Sequence, residues 1–183
     1  KDIYSRAANV VGKVISRNHK YRDEFIVIGA HFDHLGYGGP GSGSLKPDTS
    51  AIHNGANDNA SGTAGLLELA HKLQLNRQLL KRSVLLIAFD AEEKGLLGSK
   101  YFIQNSTIEK NNIVTMINMD MIGKMQDSTL IIGGVGTSPM FEPMLDSLSK
   151  DSGLKFEFNQ AGYGPSDHAS FYSENIPVLF FFT

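Results

Sequence analysis

FIVIGAHFDH, Phe25 to His34, is an apolar run that ends in two histidines around one aspartate. Its first six residues are rich in β-branched side chains and show no polar alternation, which reads as a strand buried on both faces. A strand is covered on both faces when helices lie above and below its sheet, so this stretch asks for a layered α/β domain. SVLLIAF (83–89) repeats the pattern, and IVTMIN (113–118), TLII (129–132) and IPVLFFF (176–182) are similar. An earlier edge strand is expected over residues 10–16. Helical patterns fall between these runs, over 61–75, 95–105, 138–152 and, briefly, 168–173. Strands alternating with helices predict an α/β three-layer sandwich with a mixed, mostly parallel central sheet.

The composition fits one globular domain spanning 1–183: 41% of the 183 residues are hydrophobic and 20% charged, enough for a sizeable core. Seventeen Lys+Arg against nineteen Asp+Glu give a net charge of -2, and no window is densely basic, so nucleic-acid binding is not expected. Cysteine is absent, which excludes disulfides, thiolate metal sites and cysteine nucleophiles together. Any metal must be held by nitrogen and oxygen. No apolar run approaches the roughly 20 residues of a membrane span. The chain opens at Lys1 without an initiator Met, so removal of a signal peptide or a preceding domain is expected. A secreted or periplasmic location is favoured over a cytoplasmic one on that ground. Residues 37–59, rich in Gly, Ser, Pro and Asp, form a loop long enough to be functional or mobile.

In an open α/β sheet, ligands bind beyond the carboxyl ends of the strands. The residues found there are His31-Phe32-Asp33-His34 after the first buried run, Asp90-Ala91-Glu92-Glu93 after the second, and Asp120 after the third. Ser166-Asp167-His168 precedes the last run, and Asn57-Asp58-Asn59 precedes the first long helix. Each has an ordinary explanation. Asp58 suits a turn or helix cap, Glu92 and Glu93 suit a solvated first helical turn, and His168 suits a half-buried, satisfied histidine. Together those explanations fare badly, because carboxylates and imidazoles gathered at one rim repel or stay unpaired unless a cation sits among them. Histidine and carboxylate ligands suit a catalytic zinc site, and two ions held about 3.5–4 Å apart share such a rim.

GAHFDH, NGANDNASG, FDAEEKGLLGS, NMDMIG and SDH, in this order, resemble the motifs of the di-zinc aminopeptidases, over residues 25–183. The resemblance implies two zinc ions per chain. Asp58 would bridge them, His31 and Asp120 would complete one site, and Glu93 and His168 the other. Asp33 would stand behind His31, accepting a hydrogen bond from its second ring nitrogen. Glu92 would be the general base, taking a proton from the attacking water and passing it to the leaving amine. His34 matches no required position and reads as a rim or packing residue. Tyr163, in the Gly-rich AGYGP loop, is a candidate hydrogen-bond donor to the oxyanion. Gly62 and Gly65 would let the helix after Asp58 approach the sheet. The resemblance further implies a final loop and helix beyond Thr183, so the domain is expected to be truncated at its C-terminus.

The implied activity is zinc-dependent removal of the N-terminal residue of peptides with a free N-terminus. A carboxypeptidase would share much of the metal set but needs a cationic clamp, for which Lys94 and Lys124 are available. A glutaminyl cyclase on the same fold would use one zinc, and the His31 and Asp120 pair weighs against it. A non-catalytic binding domain would be expected to have lost ligands or Glu92, and neither loss is visible. Oligomeric state is not legible in the sequence.

Overall fold

Seven strands in the order β1-β3-β2-β4-β7-β5-β6 make one mixed sheet in this computed structural model, which describes residues 6–183. Residues 1–5 of the expected domain lie outside the described residues. The strands are β1 (Val10–Val14), β2 (Phe25–His31), β3 (Ser83–Phe89), β4 (Ile113–Met119), β5 (Thr129–Gly133), β6 (Lys155–Phe158) and β7 (Val178–Phe182). β3, β2, β4 and β7 run parallel, whereas β1 pairs antiparallel with β3 and β5 antiparallel with β7. The sheet is therefore mixed, with its parallel strands at the centre.

Alternation along the apolar runs separates two cores. Val27, Leu85, Ile87, Phe89, Met116 and Val178 face one side, where they meet α2 (Leu97–Asn105) and α4 (His168–Tyr172) through Phe102, Ile103 and Phe171. Ile28, Val84, Leu86 and Met119 face the other, against Leu66, Leu69 and Leu73 of α1 (Gly62–Leu75). Phe181 joins this second core and also a third, in which Ile132 and Leu179 pack on Phe141 and Leu145 of α3 (Phe141–Ser152). α1 and α3 thus cover one face, and α2 and α4 the other. A fully buried side chain of this size contributes about 1.5–3 kcal/mol, and both faces of β3 supply several.

Four boundaries differ from the sequence expectation by two or three residues. β1 stops at Val14, because Ser16 leaves the ladder to donate its hydroxyl to the Leu80 carbonyl and to receive the Asn18 N–H. β7 begins at Val178 rather than Ile176, since Pro177 has no N–H for a ladder. α3 starts at Phe141, and α2 at Leu97 after a turn in which Gly95 and Leu96 both donate to the Glu92 carbonyl. β6 was not expected: four residues at an edge, half exposed, give too short an apolar signal. The long loop over 37–59 is tied down by Ala51 N–H to Tyr37 O, His53 N–H to Gly36 O, and Lys94 Nζ donating to the Gly41 and Ser42 carbonyls.

Close approach of α1 to the sheet depends on Gly62, where a Cβ would sit 2.6 Å from the Met119 carbonyl oxygen. Gly62→Ala is expected to be destabilising. Helix propensity returns at most about 1 kcal/mol, against about 1–3 kcal/mol for overpacking onto backbone that cannot yield. Thermal unfolding should show a midpoint lowered by a few degrees; a raised midpoint would mean that α1 has room to move away.

Candidate metal centre

β2, β3 and β4 lie side by side in parallel, so their carboxyl ends deliver His31, the Asp90–Glu93 turn and Asp120 to one edge. The segment carrying Asp58 is fastened beside them by its flanking asparagines. Asn59 donates through Nδ2 to the Met119 carbonyl and accepts at Oδ1 from the Gly62 and Met121 N–H groups, while Asn57 Oδ1 accepts from Gly123 N–H. The turn chemistry legible in NGANDNASG is real, and its effect is to hold Asp58 against the end of β4. Left-handed residues flank two of the carboxylates: Ala91, at φ 55, precedes Glu92, and Met121, at φ 56, follows Asp120. Non-glycine residues rarely adopt that region, and such strain gathers at functional sites.

Two groups of donor atoms converge, each spanning less than 4.8 Å: His31, Asp58 and Asp120 in one, His34, Asp58 and Glu93 in the other. His31 Nε2 lies 3.3 Å from Asp58 Oδ1 and 3.3 Å from Asp120 Oδ1. Tetrahedral zinc with bonds near 2.0–2.1 Å sets its ligands about 3.3 Å apart, so this spacing suits the ion. His34 Nδ1 is 2.8 Å from Glu93 Oε1 and 4.0 Å from Asp58 Oδ2. The two oxygens of Asp58 therefore face different histidines. Glu92 stands beside both groups, with Oε2 3.9 Å from His31 Nε2.

Asp33 differs in detail from the expectation. The second ring nitrogen of His31, Nδ1, is 3.2 Å from the Asp33 backbone carbonyl and 3.6 Å from its carboxylate. That carboxylate accepts the backbone N–H groups of Glu92 at 3.0 Å and Glu93 at 3.2 Å. Those two N–H groups, at the start of a turn, have no ladder partner. Asp33 thus faces His31 with both its carbonyl and its carboxylate, and holds the two glutamates through their N–H groups with its side chain.

His168 is buried, with its ring stacked on Phe180 at 4.4 Å and Gly164 pressed so close to Nε2 that a Cβ there would lie at 2.5 Å. It joins neither group of converging donors, and its Nδ1 has no hydrogen-bond partner among the described residues. The structure brings together His31, Asp58, Glu93 and Asp120 from the expected ligand set and adds His34, which the sequence reading placed on the rim. The signal available for His34 was GAHFDH itself, a histidine one residue beyond an aspartate on that same rim. Tyr163 stands 65% exposed, its ring edge-on to Tyr172 at 4.7 Å.

The electrostatics ask for a cation. Among the described residues, the ion pairs reaching Asp33, Asp58, Glu92, Glu93 and Asp120 all come from His31 and His34. Burial works to lower the His31 pKa, but hydrogen bonds to Asp120 and Asp33 and the charges of Asp120 and Glu92 outweigh it and push it up to about 11. Burial pushes Glu92 up to about 8, against the pull of His31 and with help from Asp167, Asp120 and Glu93. Asp167, fully buried, is pushed up to about 7 chiefly by desolvation. Burial lowers His168 to about 4, leaving a neutral ring. Asp33 is held below its ordinary value, although burial alone would raise it, by hydrogen bonds from His31 and from the Glu92 and Glu93 N–H groups. A proton on His31 is a single positive charge facing several carboxylates; divalent ions would meet the same field with the imidazoles neutral and ligating.

The model of peptidase family M28 matches residues 9–183. Leupeptin-inactivating enzyme 1 of Streptomyces exfoliatus is 36% identical over 127 residues, covering 68% of this chain and 28% of that protein. An aminopeptidase of Pseudomonas aeruginosa is 27% identical over 192 residues, covering 100% of this chain and 32% of that protein. Among solved structures, the zinc aminopeptidase BSAP from Bacillus subtilis superposes with a TM-score of 0.72 at 28% identity, covering 95% of this chain and 39% of that chain. An Acidobacteriales glutaminyl cyclase shares the fold, with a TM-score of 0.69 at 23% identity, covering 96% of this chain and 58% of that chain. The chain spans about a third of the length of these two curated relatives.

Proposed function

Because the chain belongs to peptidase family M28, we propose that it is the catalytic core of a zinc-dependent aminopeptidase, which hydrolyses the N-terminal residue from peptides at a two-metal centre. The observation that carries this reading is the pair of histidine–carboxylate groups sharing Asp58, with the half-buried Glu92 beside them. Zinc bound there would polarise the scissile carbonyl and acidify the attacking water. Glu92 takes the proton of that water on its carboxylate as the new C–O bond forms, and gives it to the amine nitrogen as the C–N bond breaks. Asp33 keeps Glu92 and Glu93 in register through their backbone N–H groups. Tyr163, on the loop that abuts His168, is the proposed donor to the oxyanion.

The acidic rim favours a protonated α-amine over a carboxylate, which separates an aminopeptidase from a carboxypeptidase. Lys94, one of the two cations considered for a carboxylate clamp, is engaged with loop carbonyls. In an assay with added zinc, free aminoacyl-amides are expected to be cleaved and their N-acetylated counterparts to resist by at least a hundredfold in kcat/KM. Efficient cleavage of N-acetylated substrates with a free C-terminus would reverse the assignment, and pyroglutamate formation from N-terminal glutamine without hydrolysis would favour the cyclase.

A further inference from the structure

We propose that the cavity between the end of β2 and α1 is the subsite for the residue that follows the scissile bond, and that Phe32 and Leu67 give it a preference for large apolar side chains there; this rests on the aminopeptidase reading above. The cavity measures about 370 Å³. Small-ligand pockets run from about 300 to 1,000 Å³, so one side chain with its stretch of main chain fits. Asp33 and His34 form part of its wall, which makes it adjoin the metal centre.

The polar side chains in that wall are already engaged. Thr63 donates its hydroxyl to the His31 carbonyl, and Asn59 bonds the Met119 carbonyl and the Gly62 N–H. The Asp33 carboxylate holds the Glu92 and Glu93 N–H groups, and His34 Nδ1 meets Glu93. What is left to face a ligand is apolar: Phe32, 44% exposed just past β2, and Leu67, 68% exposed and one turn along the same face of α1 as Ala64. Apolar side chains left in water beside a catalytic centre mark a contact surface. Among the described residues no lysine or arginine lines the cavity, so nothing there holds a carboxylate, whereas the exposed Asn54 amide at its edge can pair with a peptide main chain. The side of the scissile bond follows from the proton transfer. Glu92 protonates the leaving nitrogen, so the residue carrying that nitrogen starts beside Glu92, and Asp33 reaches from the Glu92 N–H to the cavity wall.

Steady-state kinetics on leucyl-phenylalanine amide and leucyl-glycine amide, with added zinc, test the assignment; amides keep a free carboxylate away from Asp33. The parent is expected to favour the phenylalanine substrate by about tenfold in kcat/KM, the effect of covering part of one large apolar side chain. Phe32→Ser and Leu67→Ser should each lower that ratio by about threefold or more, since each removes apolar surface from the cavity. Leu75→Ser, on α1 but outside the cavity and 64% exposed, should keep the parent's ratio. The choice between leucine amide and alanine amide, which reads the N-terminal side chain, should be the same in all four proteins. Phe32 and Leu67 are both well exposed, so serine at either leaves the core intact, and thermal unfolding checks this. A parent that cleaves leucine amide but treats the two dipeptide amides alike overturns this proposal and leaves the aminopeptidase reading standing. A ratio unmoved in both cavity variants overturns it too, as does a shift in the leucine-over-alanine choice, which would put the N-terminal side chain in the cavity. A parent that cleaves no aminoacyl-amide overturns the aminopeptidase reading and this subsite with it.

Discussion

Glu92→Gln is expected to lower kcat by about 10²–10⁴-fold, the usual contribution of a positioned general acid–base group, while the protein keeps its full complement of zinc. Glutamine has the size and polarity of glutamate but cannot accept the proton of the attacking water. In the metal-free protein, burial and three neighbouring carboxylates push Glu92 up to about 8. Cations among those carboxylates act in the opposite sense and return it to the range in which it accepts protons at neutral pH. KM should change little, because the loss falls on the transition state and not on ground-state binding. Glu93→Gln makes the contrast: its activity should fall with zinc occupancy and recover in part with excess zinc. Steady-state kinetics and metal content measured on both variants separate the roles. A nearly active Glu92→Gln, or one whose whole defect is repaired by added zinc, would assign the proton transfer to another group.

Asp58→Asn is expected to empty both metal sites. Asp58 belongs to both groups of converging donors, and the substitution removes a charge and one strong oxygen donor from each. Losing an outer-shell partner costs about 10–100-fold in affinity, so losing a ligand shared by two ions should cost more than a hundredfold at each. The side chain is 37% exposed and its neighbours Asn57 and Asn59 fasten the segment, so the fold should tolerate the change. Dialysis against buffered zinc followed by elemental analysis should give close to two ions per chain in the parent and less than one in the variant. One ion per chain in both would leave a mononuclear centre that does not use Asp58.

Much of this architecture was legible because continuous β-branched runs have few alternatives. FIVIGA and SVLLIAF became β2 and β3 with both faces covered, and the rule that sites lie beyond parallel strand ends led to His31, Glu92, Glu93 and Asp120. β6 escaped because KFEF at an edge is half solvated and only four residues long. Within the site, the position of His31 follows from the period of β2, whose last residue it is. Asp33 and His34 lie past that end, where no strand period constrains direction.

By itself, then, the sequence determined the layered α/β class, the cysteine-free histidine and carboxylate chemistry, and the strand ends at which that chemistry gathers. Those follow from local rules: hydrophobic period, turn residues, and the cost of leaving like charges unpaired. Only the tertiary structure decided which donors converge. Asp58 reaches Asp120 because Asn59 is hydrogen-bonded to the end of β4, sixty residues away in sequence. Asp33 serves Glu92 and Glu93 because their N–H groups lack ladder partners. His34 Nδ1 meets Glu93 with Gly55 close against its ring, while His168 lies between Gly164 and Phe180. Distances across elements arise from how the sheet and its loops close on one another, and no residue pattern along the chain carries them.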